Sequence, residues 1–176
     1  MPWITENQAQ WVNSEEEAIG NALKTFNGKV YEAIRELRPS DLVSANNSTI
    51  TGAISPTVPT LADYHLTIAP TTTVTITFSL TAKAVAFYGW YCNTDLGVTG
   101  YIQVQVDNVV RQEVPAETPY NQTANKVYLV DQTVFVPEGS SVTIKIYNGA
   151  ATTASGVIWP LAWIAGTASA LGIAKA

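Results

Sequence analysis

From residue 73 to residue 80 the chain alternates strictly. Val74, Ile76, Phe78 and Leu80 fall on one side, and Thr75, Thr77 and Ser79 on the other. Successive side chains of a strand point to opposite faces, so this pattern marks an antiparallel strand with one face buried. Such a strand needs sheet partners on both edges and a second layer over its apolar side. The rest of the chain therefore has to supply both.

It does so in the same grammar. Tyr101 to Val106 alternates with Ile102, Val104 and Val106 inward, and Val109 to Val114 returns after Asp107-Asn108, a pair that tolerates the positive φ of a two-residue hairpin turn. Lys126 to Val136 is a longer run. Pro137-Glu138-Gly139-Ser140 turns the chain, and Val142, Ile144 and Ile146 then alternate with Thr143, Lys145 and Tyr147. With His65 to Ala69, Lys83 to Cys92 and Val157 to Ala165, this predicts about eight strands, the spacing of a β-sandwich or barrel. The expected fold is all-β with an N-terminal helix, an eight-stranded antiparallel β-sandwich of jelly-roll type.

Two runs break the alternation. In Ala84 to Cys92, Val85, Phe87 and Tyr91 are set against Ala86, Tyr88 and Trp90, all apolar. In Val157 to Ala165, Val157, Trp159, Leu161 and Trp163 are set against Ile158, Ala162 and Ile164. A sandwich strand apolar on both faces needs a second cover, from the chain's own helix or from another subunit. Pro160 has no N–H to give to a ladder, which predicts an edge or a bulge.

The helix is expected over about residues 15–38. Ser14 and Glu17 form a capping box, Glu15 to Glu17 suit the positive end of the dipole, and Pro39 stops the element. Ile19, Leu23, Phe26, Val30, Ala33 and Leu37 step by four and three, a heptad seam. The seam fits packing on the chain's own sheet and equally pairing with copies of itself. Gly20 and Gly28 each cost about 1 kcal/mol of helix propensity relative to Ala and point to close packing.

The expected division is an N-terminal segment over residues 1–39, an extended linker over 40–62, the sandwich over 63–166 and a small-residue tail over 167–176. Asn46-Asn47, Gly52, Pro56 and Pro59 mark the linker. Residues 156–174 are uncharged and long enough to raise a membrane helix, but Pro160 and the glycines favour a strand and tail. The opening residues lack the basic start and apolar stretch of a secretory signal.

Chemistry finds few footholds. Only 13% of residues are charged and the net charge is −5, with the basic residues of the first segment interleaved with Glu, so no nucleic-acid partner is expected. His65 is the one histidine and Cys92 the one cysteine. Paired-His metal sites and intrachain disulfides are excluded, and Cys92 reads as a buried thiol or a bridge between chains. Asp95, Asp107, Glu113, Glu117, Asp131 and Glu138 sit in turns or at strand ends, with nothing to select an acid–base pair. No enzyme activity, cofactor or metal is expected. Trp90, Tyr91, Trp159 and Trp163 lie within apolar runs and read as core or interface residues.

The N-terminal helix, the Thr-rich strands from His65 to Ala165 and the lone Cys92 together resemble the small single jelly-roll major capsid proteins of tailless, membrane-containing icosahedral viruses, the Thermus phage and archaeal virus group. That resemblance implies a structural virion protein located in the virion. It would self-associate as a dimer or a larger capsomer and contact other capsid proteins, with the apolar tail facing a neighbour or an inner membrane. Candidate interface residues are Ile19, Leu23, Phe26, Val30, Leu37, Val85, Phe87, Trp90, Cys92, Trp159 and Trp163. The alternative is a phage fibre or receptor-binding head that binds host glycans on a trimeric helical stalk. A third reading is a free carbohydrate-binding or hydrolytic domain, which predicts a monomer.

Overall fold

The computed structural model describes residues 17–38, 41, 48–55, 65–122 and 126–173. Ser14, Trp3, Trp11, Pro39, Asn46 and Asn47 lie outside them. A helix, α1, runs through residues 17–24 and is followed by a 3-10 turn, Phe26–Gly28. Eleven strands follow: β1 (Ala33–Glu36), β2 (Ser48–Thr51), β3 (Ala53–Ser55), β4 (His65–Ile68), β5 (Thr72–Ser79), β6 (Ala84–Cys92), β7 (Tyr101–Val106), β8 (Val109–Pro115), β9 (Val127–Val136), β10 (Ser141–Asn148) and β11 (Ala154–Gly166).

They form two antiparallel sheets. Sheet I has the order β3-β4-β11-β6-β9, with β1 also on β11, and sheet II the order β2-β5-β10-β7-β8. From β4 to β11 the chain alternates between sheets, except for the β7–β8 hairpin. This puts β4-β11-β6-β9 opposite β5-β10-β7-β8, the double Greek key of a jelly roll. The eight expected strands are all present, and Asp107 and Asn108 take φ of 50° and 65° at the hairpin.

The expected helix over 15–38 is corrected. Asn27 and Gly28 take φ of 57° and 73°, a left-handed pair that stops a right-handed helix, and Ala33–Glu36 then pairs antiparallel with residues 163–166 of β11. The heptad seam is therefore not one surface. Leu23 is fully buried under α1, Ile19 and Phe26 pack beside it on sheet I, Val30 is 81% exposed, and Leu37 joins the core between the sheets. A continuous three-stranded stalk through these positions is ruled out by the strand.

The linker expected over 40–62 is corrected as well, since residues 48–51 and 53–55 are edge strands. Gly52 is the corner at which the chain leaves sheet II for sheet I. Its φ is +83°, and a Cβ there would lie 2.1 Å from the Thr73 carbonyl oxygen, so no other residue fits the turn.

The core between the sheets is built from the predicted inward residues: Val74, Ile76 and Phe78 of β5, Ile102 and Val104 of β7, and Val142, Ile144 and Ile146 of β10, each at most 4% exposed. β-Bulges decide the two doubly apolar strands. A register shift between Phe87 and Gly89 changes parity, so Phe87 and Trp90 both join the inter-sheet core and Tyr91 turns outward. The sequence reading had set Phe87 and Tyr91 together against Trp90. Against β11 the same irregularity leaves Tyr88 unpaired between Gly89, opposite Leu161, and Phe87, opposite Ala162. Pro160 sits in a gap, because β4 pairs β11 only over residues 154–157 and β1 over 163–166. Among the described residues β11 is thus locally an edge at Pro160, as expected for a residue with no N–H to give.

The second cover is the chain's own. Leu23, Tyr31, Ala84, Ala86 and Ala165 form a separate cluster on the outer side of sheet I, with Ile19, Phe26, Ile34, Phe135 and Trp163 against it. Phe26 stacks on Phe135 at 5.3 Å. Gly20 lets α1 come close, since a Cβ there would lie 3.0 Å from Ile34 Cδ1 and 3.5 Å from the Trp163 ring. Trp163 Nε1 is buried with no hydrogen-bond acceptor among the described residues.

The tail is tied down too. Leu171 is buried in the core, and its carbonyl accepts from Arg35 Nε at 2.8 Å. The same guanidinium grips Asp41 in a fork, Nη1 to Oδ2 at 2.7 Å and Nη2 to Oδ1 at 2.6 Å. The Asp41 hydrogen bond is the main reason that the Arg35 pKa rises above its ordinary value. Leu171 is therefore not on offer to lipid or to a neighbour. Among the described residues no helix is long and apolar enough to cross a membrane.

Candidate functional site

Four of the six carboxylates flagged in the sequence are engaged within the chain. Asp95 Oδ1 accepts from the Gly97 N–H at 2.8 Å, and Asp107 Oδ1 from the Ser141 N–H at 2.9 Å. Glu113 accepts from Gln103 at 2.7 Å, and Glu138 pairs with Lys29 and Tyr31. His65 stands exposed at the start of β4, away from a partner set of the kind acid–base or metal chemistry uses. Among the described residues, no three of His, Cys, Asp and Glu are grouped to hold a metal ion.

The described core holds one small void. A void of about 10 Å³ lies in the core between Leu66, Ile76, Trp90, Ile144, Ile158 and Pro160. That is room for one water at most, and its apolar walls offer such a water no partners.

The candidate interface residues meet different fates. Leu23, Leu37, Val85, Phe87, Trp90, Cys92 and Trp159 are each at most 8% exposed within the single chain. They are core residues, and their burial removes them from any contact between folded subunits. Ile19, Phe26 and Trp163 are partly buried against sheet I, and Val30 alone of the set is freely exposed. Sequence reasoning saw that both doubly apolar strands need cover, but could not tell self-cover from subunit cover, because the same stripe serves both.

Cys92 is fully buried, with its thiol donating to the Thr94 carbonyl oxygen at 3.2 Å, so a bridge between folded chains is sterically closed. Burial pushes its pKa up to about 11. The unfolded thiol ionises near 9, so the folded state holds the proton longer as pH rises. The stability this gives is complete below pH 9 and is lost between about pH 9 and 11, roughly 2–3 kcal/mol in all. Denaturation midpoints should fall over that window in the parent chain and much less in Cys92→Ala. A native thiol titration should show no reaction until the chain unfolds.

What remains as a functional surface is a contrast between two faces. The outer side of sheet I is covered by α1 and the segment that follows it as far as Tyr31. The outer side of sheet II carries no element of the described chain. Its registers place Thr77, Thr143, Gln105 and Val110 in one row, Thr75, Lys145, Gln103 and Glu113 in a second, and Thr73, Tyr147, Tyr101 and Pro115 in a third. Gln105 donates to Gln103 at 2.6 Å, Gln103 to Glu113 at 2.7 Å, and the rings of Tyr101 and Tyr147 stack at 5.4 Å. The face is thus pre-ordered, nearly uncharged and built of hydroxyls, amides and two aromatic rings.

The fold defines a two-sheet jelly-roll domain. No protein-family model matches this chain, and no curated protein sequence does. Among solved structures it is similar to a family 35 carbohydrate binding module from Clostridium thermocellum, at 11% identity and a TM-score of 0.41, over 75% of this chain and 97% of that one. It is also similar to the C-terminal CBM6 of LamC, a marine laminarinase from Zobellia galactanivorans, at 10% identity and a TM-score of 0.37, over 76% and 99% of the two chains. The likeness is one of β-sandwich architecture.

Proposed function

We propose that this chain is a structural virion protein, a capsid subunit that acts by self-association into a shell. The observation that carries the reading is the asymmetry of the sandwich: one broad face is covered in part by the chain's own α1, and the other carries no element of the described chain and is nearly free of charge. A solitary soluble domain ordinarily scatters charges over such a sheet, since they suppress unwanted association. Here hydroxyl and amide side chains do that work, and they desolvate at lower cost when a neighbour arrives. The spending of the turn carboxylates on scaffold hydrogen bonds supports a role without turnover. Fold by itself assigns no role, because jelly rolls serve many.

The test is assembly of the purified chain, followed by light scattering on a sizing column and by negative-stain electron microscopy over a wide concentration range. Discrete oligomers or closed particles are the expected result. A species that stays monomeric up to millimolar concentration would remove the reading. The glycan-binding alternative keeps one observation in its favour, the Tyr101–Tyr147 ring pair on the same face. Saturable binding of neutral polysaccharide by such a monomer, lost in Tyr147→Ala, would move the assignment there.

A further inference from the structure

Resting on the self-association reading, we propose that the occupant of the bare face of sheet II is a second copy of this chain, related by a two-fold axis that runs along β7. The argument is charge complementarity read from strand order. Lys145 on β10 and Glu113 on β8 share one row and flank Gln103 of β7, one strand to either side. A two-fold along β7, lying between two facing sheets, keeps each row and reverses the order of strands. It therefore lays β10 of one copy over β8 of the other.

Lys145 then meets Glu113 of the second copy, and the symmetry makes the contact twice. In the next row Tyr147 meets Pro115, and in the first row Thr143 meets Val110, whose side chain is 49% exposed in the single chain. Every row thus gains a matched pair. β7 carries no charge, so no like charges meet on the axis. Arg111 is the other charged residue of β8; it is the extra residue of the bulge at Val104/Gln105 and stands outside the ladder. An axis between β10 and β7 instead would set Lys145 over Gln103 and leave Glu113 opposite Thr75.

Three strands about 4.8 Å apart and six residues long give a contact well under the ~800 Å² per partner of a stable complex. The pair is expected to form reversibly at high micromolar to millimolar concentration, and to gain strength only where neighbours in a shell hold it in place.

The experiment is sedimentation equilibrium on the full chain and on three variants, Lys145→Glu, Glu113→Lys and the double exchange, with circular dichroism to check folding. Each single variant should weaken dimerisation by about tenfold or more, because two ion pairs become two like-charge contacts, and the double exchange should return it to within about threefold of the parent. Oligomers unaffected by the single variants, or a double exchange no better than either single one, would overturn this interface while leaving self-association standing. A monomer at every concentration would overturn both.

Discussion

Asn148→Asp should unfold the sandwich or leave it barely stable, with a loss of about 3–5 kcal/mol at neutral pH. Asn148 is completely buried at the end of β10. Its Nδ2 faces three carbonyl oxygens, those of Ile68 at 3.1 Å, Ala69 at 3.1 Å and Thr152 at 3.0 Å. Its Oδ1 accepts from the Ala150 N–H at 3.0 Å. One amide thus ties the corner after β4 to the loop before β11, and its two hydrogens are shared among three acceptors.

A carboxylate in that place points an anion at three lone-pair oxygens with no cation to answer it. Its pKa would be raised in the folded state. The variant should therefore be least damaged below about pH 4, where the group is protonated in both states, and should lose stability as pH rises from there. Asn148→Ala removes the same donors without the charge and should cost about 2–3 kcal/mol. Urea denaturation of the two variants at pH 4 and pH 7 separates these terms. Equal losses for both at pH 7 would show that the three carbonyls do not converge on the side chain as described.

The second large effect belongs to Trp90. It is wholly buried, its ring lies nearly parallel to Phe87 with centroids 6.5 Å apart, and its Nε1 donates to Gln112 Oε1 at 2.8 Å. Gln112 sits on β8, so the bond crosses from sheet I to sheet II. Gln112 in turn donates to the Gln132 carbonyl oxygen on β9 at 3.4 Å, at the same edge of the sandwich. Trp90→Ala should cost about 3–5 kcal/mol through lost burial and a cavity that rigid strands cannot close. Trp90→Phe keeps most of the apolar area but orphans Gln112, and about 1–2 kcal/mol is expected. Gln112→Leu should cost less than Trp90→Ala and should combine with Trp90→Phe for less than the sum, because the two share one bond. Strict additivity would mean that the bond contributes nothing.

Much of this architecture was legible, and the failures have definite causes. Period two found β5, β7, β8 and β10, because each buries one face only. It failed inside β6, where Tyr88 is an extra residue against β11 and reverses which side chains point inward. Gly89, the residue after Tyr88, was the visible sign. In β11 the split of Ile158, Ala162 and Ile164 from Leu161 and Trp163 holds, while Trp159 joins the inter-sheet core.

The helix was drawn too long because Ala33, Ile34 and Leu37 fit a helical stripe as well as a strand. The signal that decides between them is Asn27-Gly28, a left-handed stop that was weighed only as lost propensity. β2 and β3 were missed because three or four residues are too short for a period. The bare face of sheet II was legible residue by residue as the polar half of each alternating strand. What the sequence could not say is that nothing in the described chain would come to lie on it, since that depends on which face α1 chooses.

The placement of β11 has a consequence for how the chain is made. The strand that comes last in the described chain is an interior one, paired with β6 on one edge and with β4 and β1 on the other. Until residue 166 has left the ribosome, β4 and β6 have no common neighbour, and the Arg35 clasp has no Leu171 to close on. Sheet I therefore closes only after β11 has emerged, in a step dominated by contacts far apart in sequence, which is slow. Through that interval the nascent chain carries open apolar edges, and in a crowd of identical chains these are the surfaces on which misassembly starts.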